Sequence, residues 1–252
     1  ITANAFGVLF ADFDGDQWPD IWCANDLGSN LGGAANMLFR NNRNGTFTNV
    51  AGSVNAGFFI DGMGLTVADV QNDGDWDTFI SNIANGHVLL LMNSNGTFQS
   101  GTQPWSVANS NGITAAGGTG WACKYFDYNN DALNDLWVMQ SVGANQLYRG
   151  NAATPLFTNQ ATTLGIAAAV PIGWGSCIVD YDSDGRPDIY SAGSTTTAQL
   201  AKNNVTNANN WITLKLVGTN SNKSGIGAVA IVRTGVVTQR RQVLSGEGFL
   251  VD

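Results

Sequence analysis

Histidine occurs once in this 252-residue chain, as His87, and glutamate once, as Glu247. Lysine is also scarce, and only 12% of the residues are charged. Long amphipathic helices need such side chains on their wet face, so the composition predicts very little helix. No Ser-His-Asp set is evident, and His87, following Asn85-Gly86, reads as a turn residue rather than a catalytic base. Gly117-Gly-Thr-Gly120 leads into a strand and does not form a phosphate-binding loop. The three cysteines, Cys23, Cys123 and Cys177, include no CxxC pair, which argues against zinc and thioredoxin-type chemistry. Their odd number leaves at least one thiol free or paired outside the chain, and they read as small buried hydrophobes in strands. No apolar run approaches the roughly 20 residues of a membrane span. A net charge of −8 argues against a nucleic-acid partner. The chain starts at Ile1 and shows no signal peptide, so a removed leader or a longer parent protein is expected.

What is present is acid, concentrated in a few places. Fifteen of the nineteen acidic residues fall in four short loops that are copies of one another. They are Asp12-Phe-Asp14-Gly-Asp16-Gln-Trp18-Pro-Asp20, Asp69-Val-Gln71-Asn-Asp73-Gly-Asp75-Trp-Asp77, Asp127-Tyr-Asn129-Asn-Asp131-Ala-Leu133-Asn-Asp135 and Asp180-Tyr-Asp182-Ser-Asp184-Gly-Arg186-Pro-Asp188. Oxygen-bearing side chains stand at loop positions 1, 3, 5 and 9 of every copy. Packed carboxylates repel unless a hard cation sits among them, and calcium takes six to eight oxygen ligands. Four calcium sites are therefore expected, and four divalent ions would bring the formal charge of −8 to about neutrality. An EF-hand is excluded, because no glutamate stands at position 12 and no flanking helices are expected.

The loops begin at residues 12, 69, 127 and 180, spacings of 57, 58 and 53. A period in this range signals a propeller or solenoid array. A Gly-rich apolar strand precedes each loop, as in Gly62-Met-Gly-Leu-Thr-Val-Ala68, and an aromatic or β-branched strand follows it, as in Ile21-Trp-Cys-Ala24. A third strand comes next: Met37-Leu-Phe-Arg40, Val88 to Met92, Gln146-Leu-Tyr-Arg149 and Gln199-Leu-Ala-Lys202. In the first two copies Asn44-Gly45 and Asn95-Gly96 predict two-residue hairpin turns into a fourth strand, at Thr46-Phe47 and Thr97-Phe98. The third copy takes a longer link to Leu156-Phe157-Thr158. Four short antiparallel strands per repeat describe one propeller blade. The prediction is an all-β protein with blades at about 1–58, 59–115, 116–168 and 169–205. A small β domain follows over 206–252, with strands at Trp211–Val217, Ala228–Arg233 and Thr238–Leu244.

These loops and strands resemble the FG-GAP/VCBS repeat family, the calcium-loop blades also found in integrin α-chain propellers. The Met37-to-Ala51 wording is similar to the subgroup that includes cartilage acidic protein and its bacterial relatives, and the segment from Trp211 to Asp252 is similar to an ASPIC/UnbV C-terminal domain. The resemblance implies side-chain ligands at positions 1, 3, 5 and 9 and a backbone carbonyl at position 7, which is Trp18, Asp75, Leu133 or Arg186. Position 3 is Asp14 and Asp182 in the outer copies but Gln71 and Asn129 in the middle ones, so loops one and four are expected to bind more tightly. Family members usually carry more blades and a longer tail, which suggests a fragment or a ring completed by another copy.

The functional expectation is a secreted, non-catalytic calcium-binding scaffold or adhesion protein that meets an extracellular protein or glycan, with self-assembly into a homo-oligomer or filament as one form of that role. The alternative is a lectin-like propeller using Trp18, Trp76, Trp105, Trp121, Trp137 or Trp174 to stack on sugars. Asn44, Asn95, Asn204 and Asn222 lie in glycosylation triplets, with turn chemistry the stronger reading for the Asn-Gly-Thr pair.

Overall fold

Strand-forming residues alternate with acidic loops along nearly the whole chain, and the resulting antiparallel sheets repeat. The structure, a computed structural model, describes residues 4–28, 33–83, 86–99, 101, 103–114, 118–168, 173–194, 198–220 and 222–247. Asn85, Gly117 and the end of the tail motif after Glu247 lie outside the described residues. The first sheet runs β1 (Asn4–Ala11), β2 (Asp20–Asp26), β3 (Met37–Asn41) and β4 (Phe47–Asn49) in sequential order. The second holds β5 (Gly62–Ala68), β6 (Asp77–Asn82) and β7 (Val88–Leu90). After the five-residue α1 (Ser106–Ser110), the third sheet orders β8 (Thr119–Phe126), β9 (Asp135–Val142), β10 (Gln146–Gly150) and β11 (Phe157–Asn159). The fourth holds β12 (Gly173–Val179), β13 (Asp188–Gly193) and β14 (Gln199–Ala201). A hairpin of β15 (Val229–Thr234) and β16 (Val237–Gln242) ends the described fold.

The first strands of successive sheets lie side by side, β1 by β5, β5 by β8 and β8 by β12. Apolar packing therefore falls between sheets rather than within one. One cluster joins Leu9, Trp22 and Leu38 to Leu65, Ile80 and Phe98. A second joins Phe79 and Leu89 to Tyr125, Tyr148 and Phe157, and a third joins Phe126, Trp137 and Leu147 to Ile189. Strands of the second sheet, covered on both faces, are buried along their whole length, whereas β1 alternates. This is the layered packing of propeller blades, as the sequence predicts.

Several details differ from the expectation. The Asn-Gly hairpins are three-residue turns: Asn42 donates to Thr46 and Asn93 to Thr97, at 3.0 and 2.8 Å between backbone atoms. The left-handed residues are Arg43, Gly45 and Gly96, while Asn44 and Asn95 accept from the Thr46 and Thr97 amides. An Asn side chain that caps its own turn does not need positive φ itself. The fourth strand of the second blade shrinks to one bridge, Met92 to Phe98. Trp211–Val217 alternates in sequence but joins no ladder among the described residues. The Trp211 indole instead lies on Gly185, where a Cβ would come within 1.8 Å of Nε1.

His87 is not a turn residue on the surface. It is fully buried between the second and third blades, edge-on to Phe79 at 5.4 Å, with Nδ1 accepting from the Asn82 amide and Nε2 near Gln146 and Gln140. Burial pushes its pKa down to about 4, so it is a neutral polar knot of the blade interface. All three cysteines are free; Cys123 is buried, and Cys23 and Cys177 are half-buried.

The tail folds back over the loops. Gln242 exchanges hydrogen bonds with the Asp12 backbone, Phe10 donates to Ser245 O at 2.9 Å, and Arg240 donates to Gly74 O at 2.7 Å. Asn207 and Asn209 both donate to Asn129 O, and Glu247 pairs with Lys124 at 3.2 Å.

Candidate metal centres

Each loop turns back on itself within nine residues, so it needs left-handed backbone. Positions 4 and 6 supply it in every copy: Gly15 and Gln17, Asn72 and Gly74, Asn130 and Ala132, Ser183 and Gly185 all have positive φ. Gln17, Ala132 and Ser183, neither glycine nor asparagine, adopt this conformation with a Cβ, at a cost of about 1–2 kcal/mol each. The loop hydrogen bonds offset it, and they too repeat.

The position 1 carboxylate accepts from the amides of positions 5 and 6. For Asp12 the donors are Asp16 and Gln17 at 3.0 and 2.7 Å, and Asp69, Asp127 and Asp180 hold the same pairs. The position 5 carboxylate accepts from the amide of position 7, at 2.8 Å for Asp16 and Trp18 and 3.1 Å for Asp73 and Asp75, Asp131 and Leu133, and Asp184 and Arg186. The position 9 carboxylate is a three-way staple. One oxygen of Asp20, Asp77, Asp135 and Asp188 accepts from position 2, Phe13, Val70, Tyr128 and Tyr181. The other accepts from the chain leaving the third strand, Asn41, Met92, Gly150 and Asn203, at 2.7–2.8 Å. Position 9 is thus buried in all four copies. The sequence marks this residue as a ligand but hides its second role, which depends on a strand arriving from far along the chain.

Burial without a counter-charge raises carboxyl pKa values. Asp20 is pushed up to about 7, and Asp77 and Asp135 to about 8, by desolvation first and by neighbouring aspartates in addition, against the pull of the donated amides. Asp12, Asp14, Asp69 and Asp127 are raised for the same first reason. Groups held this way want a proton or a cation.

Geometry separates the loops. Oxygens of Asp12, Asp14 and Asp20 lie within 4.8 Å of one another, and so do those of Asp180, Asp182 and Asp184. Two ligands at about 2.4 Å from one calcium can be no farther apart than about 4.8 Å, and both trios meet that condition. Asp16 and Asp188 stand outside these trios. Loops two and three, with Gln71 and Asn129 at position 3, close no such acidic trio among the described residues. Basic side chains, unforeseen from the sequence, attend three loops: Arg43 pairs with Asp16 at 2.6 Å, Arg149 with Asp131 at 3.0 Å, and Arg186 and Lys202 with Asp184 and Asp182. The signal was the basic end of the third strand, Arg149 and Lys202, which has Leu91 as its counterpart in the second blade.

Among the candidate sugar platforms, Trp76 and Trp137 are buried, and Trp137 donates to Ser176 across the blade boundary. Trp18 and Trp174 are exposed.

Sheets stacked through their faces, each with the same acidic turn between its first two strands, define an acidic-loop type of β-propeller repeat. The FG-GAP-like repeat family model matches residues 12–80 and 127–191. Each match begins on the first aspartate of a loop and takes in two loops, and together they cover more than half of the chain. The chain belongs to the FG-GAP-like repeat family. It is also similar to cartilage acidic protein 1 of Xenopus tropicalis, 25% identical over 221 residues, which is 82% of this chain and 32% of that relative. The chain thus spans about a third of the length of the curated relative it matches.

Proposed function

We propose that this chain is a non-catalytic extracellular scaffold whose blades are locked by calcium in four loops. The ligands assigned are side-chain oxygens of Asp12, Asp14, Asp16 and Asp20; Asp69, Gln71, Asp73 and Asp77; Asp127, Asn129, Asp131 and Asp135; and Asp180, Asp182, Asp184 and Asp188. The carbonyls of Trp18, Asp75, Leu133 and Arg186 complete the sets. The observation that carries this reading is the fourfold repetition of one carboxylate–amide network around clustered acid, a cost in repulsion with no return unless a cation is bound. The likeness to a cartilage acidic protein supports an extracellular setting, where calcium is abundant, with a protein or glycan as partner. Residues 206–252 are assigned as a separate ASPIC/UnbV-like unit laid over the loops. Self-assembly is part of the reading. Glycan stacking is secondary, because two of the six candidate tryptophans are spent in blade packing.

The test is thermal unfolding in calcium and in excess chelator. A ligand held only by the folded chain at a thousandfold its Kd adds about 4 kcal/mol per site. Chelator should lower the Tm by well over ten degrees (~4–8 °C per kcal/mol for a small domain, less for a larger one). An unchanged melt would refute the metal assignment.

A further inference from the structure

The tail meets the first acidic loop at both of its ends. Gln242, the last residue of β16, sets its side-chain amide on the main chain of Asp12. The Asp12 N–H donates to Oε1 at 3.1 Å, and Nε2 donates to the Asp12 carbonyl at 3.2 Å. At the far end Gly227 lies on Pro19, where a Cβ would come within 2.7 Å of the proline ring. Just before the loop the Phe10 amide donates to Ser245 O, and Gly246 lies so close to Val8 that a Cβ would stand 2.2 Å from its carbonyl oxygen. Leu244 packs on the apolar cluster of the first two blades. Residues 227–246 therefore form a strap across loop one.

Loop two shows what the strap replaces. The carbonyl of its position 1, Asp69, accepts from the side-chain amide of Asn134 at 2.5 Å. Asn134 is position 8 of loop three, so the following blade holds the entry of loop two. Position 8 of loop two is Trp76, which is buried in the apolar cluster shared with the first blade and brings no amide to loop one. Gln242 supplies one from 230 residues along the chain. A side-chain amide on the position 1 carbonyl is thus a recurring device, supplied to loop two by a neighbouring blade and to loop one by the tail. Asp12 is buried, so water is a poor substitute for Gln242 at its main-chain groups.

We propose that residues 227–246 are a calcium-linked latch, with Gln242 as a positioning residue for the ion in loop one. The inference rests on the calcium reading given above. The ion needs the Asp12 carboxylate beside those of Asp14 and Asp20, and Gln242 fixes the main chain that carries it. The strap leaves the assigned ligands free, because Gln242 bonds the backbone of position 1 and not its carboxylate. Gln242 and Gly227 are uncharged, so docking them adds no repulsion against a cation. Loops two and three differ, because there the tail brings arginine. Ion and strap fix the same turn in loop one. Each lowers the ordering cost of the other, and the coupling is reciprocal.

The test combines calcium titration calorimetry with hydrogen exchange of the 252-residue chain. In wild type, calcium should slow exchange of the Phe10 and Asp12 amides, which the strap holds, by about tenfold or more relative to chelator. Asp14→Ala should return these amides to their chelator rate even in calcium. Asp182→Ala, which removes the same ligand from loop four, should leave them slow. Gln242→Ala and Gly246→Val, which change no loop residue, should each weaken one calcium site about tenfold and leave the others as they are. The milder Gln242→Ala carries the test if Gly246→Val does not fold. A loss of stability in Gln242→Ala that is equal in calcium and in chelator would make the residue a plain structural clamp and overturn the coupling. Strap amides that exchange equally fast in calcium and in chelator, while calorimetry shows calcium bound, would overturn the latch and leave the calcium reading standing. Calorimetry without calcium binding to wild type would defeat the calcium reading, and the latch with it.

Discussion

Among the side-chain oxygen positions 1, 3, 5 and 9, loops one and four differ from loops two and three only at position 3. Aspartate stands at position 3 in the outer pair, glutamine or asparagine in the inner pair. The backbone does not register the change: left-handed residues fall at positions 4 and 6 in all four, and the same amides point at positions 1, 5 and 9. The outer pair gathers three acids into one ion-sized space, and the inner pair does not. Conformation is therefore set by positions 1, 5 and 9, and position 3 tunes charge on a fixed frame. The inner loops also sit under the arginines of the tail, Arg240 on Gly74 and Arg241 among Asp127, Asp69 and Asp135. The tail arginines thus bring positive charge to the two loops that lack a carboxylate at position 3.

The largest effect should come from breaking the shared frame. Asp77→Ala strands the buried amides of Val70 and Met92, which no other described group reaches. Each stranded buried donor costs about 1–3 kcal/mol, so a loss of about 2–6 kcal/mol is expected even in chelator. Urea unfolding with and without calcium checks this. A loss seen only in calcium would make position 9 a ligand and not a staple.

A smaller change should come from exchanging position 3. Gln71→Asp and Asn129→Asp should tighten the inner loops by about tenfold, or ~1.4 kcal/mol, and Asp14→Asn and Asp182→Asn should weaken the outer ones by a similar factor. Calcium titration calorimetry reads both. Unfolding in chelator should barely move, since the frame is untouched. If the exchanges altered metal-free stability by several kcal/mol, the separation of frame from charge would fail.

Much of this is legible in the sequence. The loops repeat at 57, 58 and 53 residues, and the strands around them alternate or run apolar as burial on one or two faces requires. What was not legible depends on chain segments meeting from a distance. His87 follows a turn in sequence yet ends buried against Gln140 and Gln146 of the next blade. Trp211–Val217 has a strand's alternation, but a strand also needs a partner edge, and the segment instead runs past Gly185. The role of position 9 as a staple required knowing that Asn41, Met92, Gly150 and Asn203 return to the loop.

The smallest predicted effect concerns the basic residues beside the loops. Arg149 and Arg43 are about half exposed and hold Asp131 and Asp16 through solvent-screened pairs of small net effect. A cation on a ligand carboxylate competes with calcium for it. Arg149→Ala should therefore raise the calcium affinity of the third loop about two- to fivefold, and added salt should erase the difference. The second loop provides the comparison, because Leu91, buried in the interface with the third blade, stands where the other blades place a basic residue, and no salt bridge to that loop's aspartates occurs among the described residues. If Arg149→Ala weakened binding instead, the arginine would be orienting Asp131 for the ion rather than contesting it. The basic end of the third strand would then belong to the site itself.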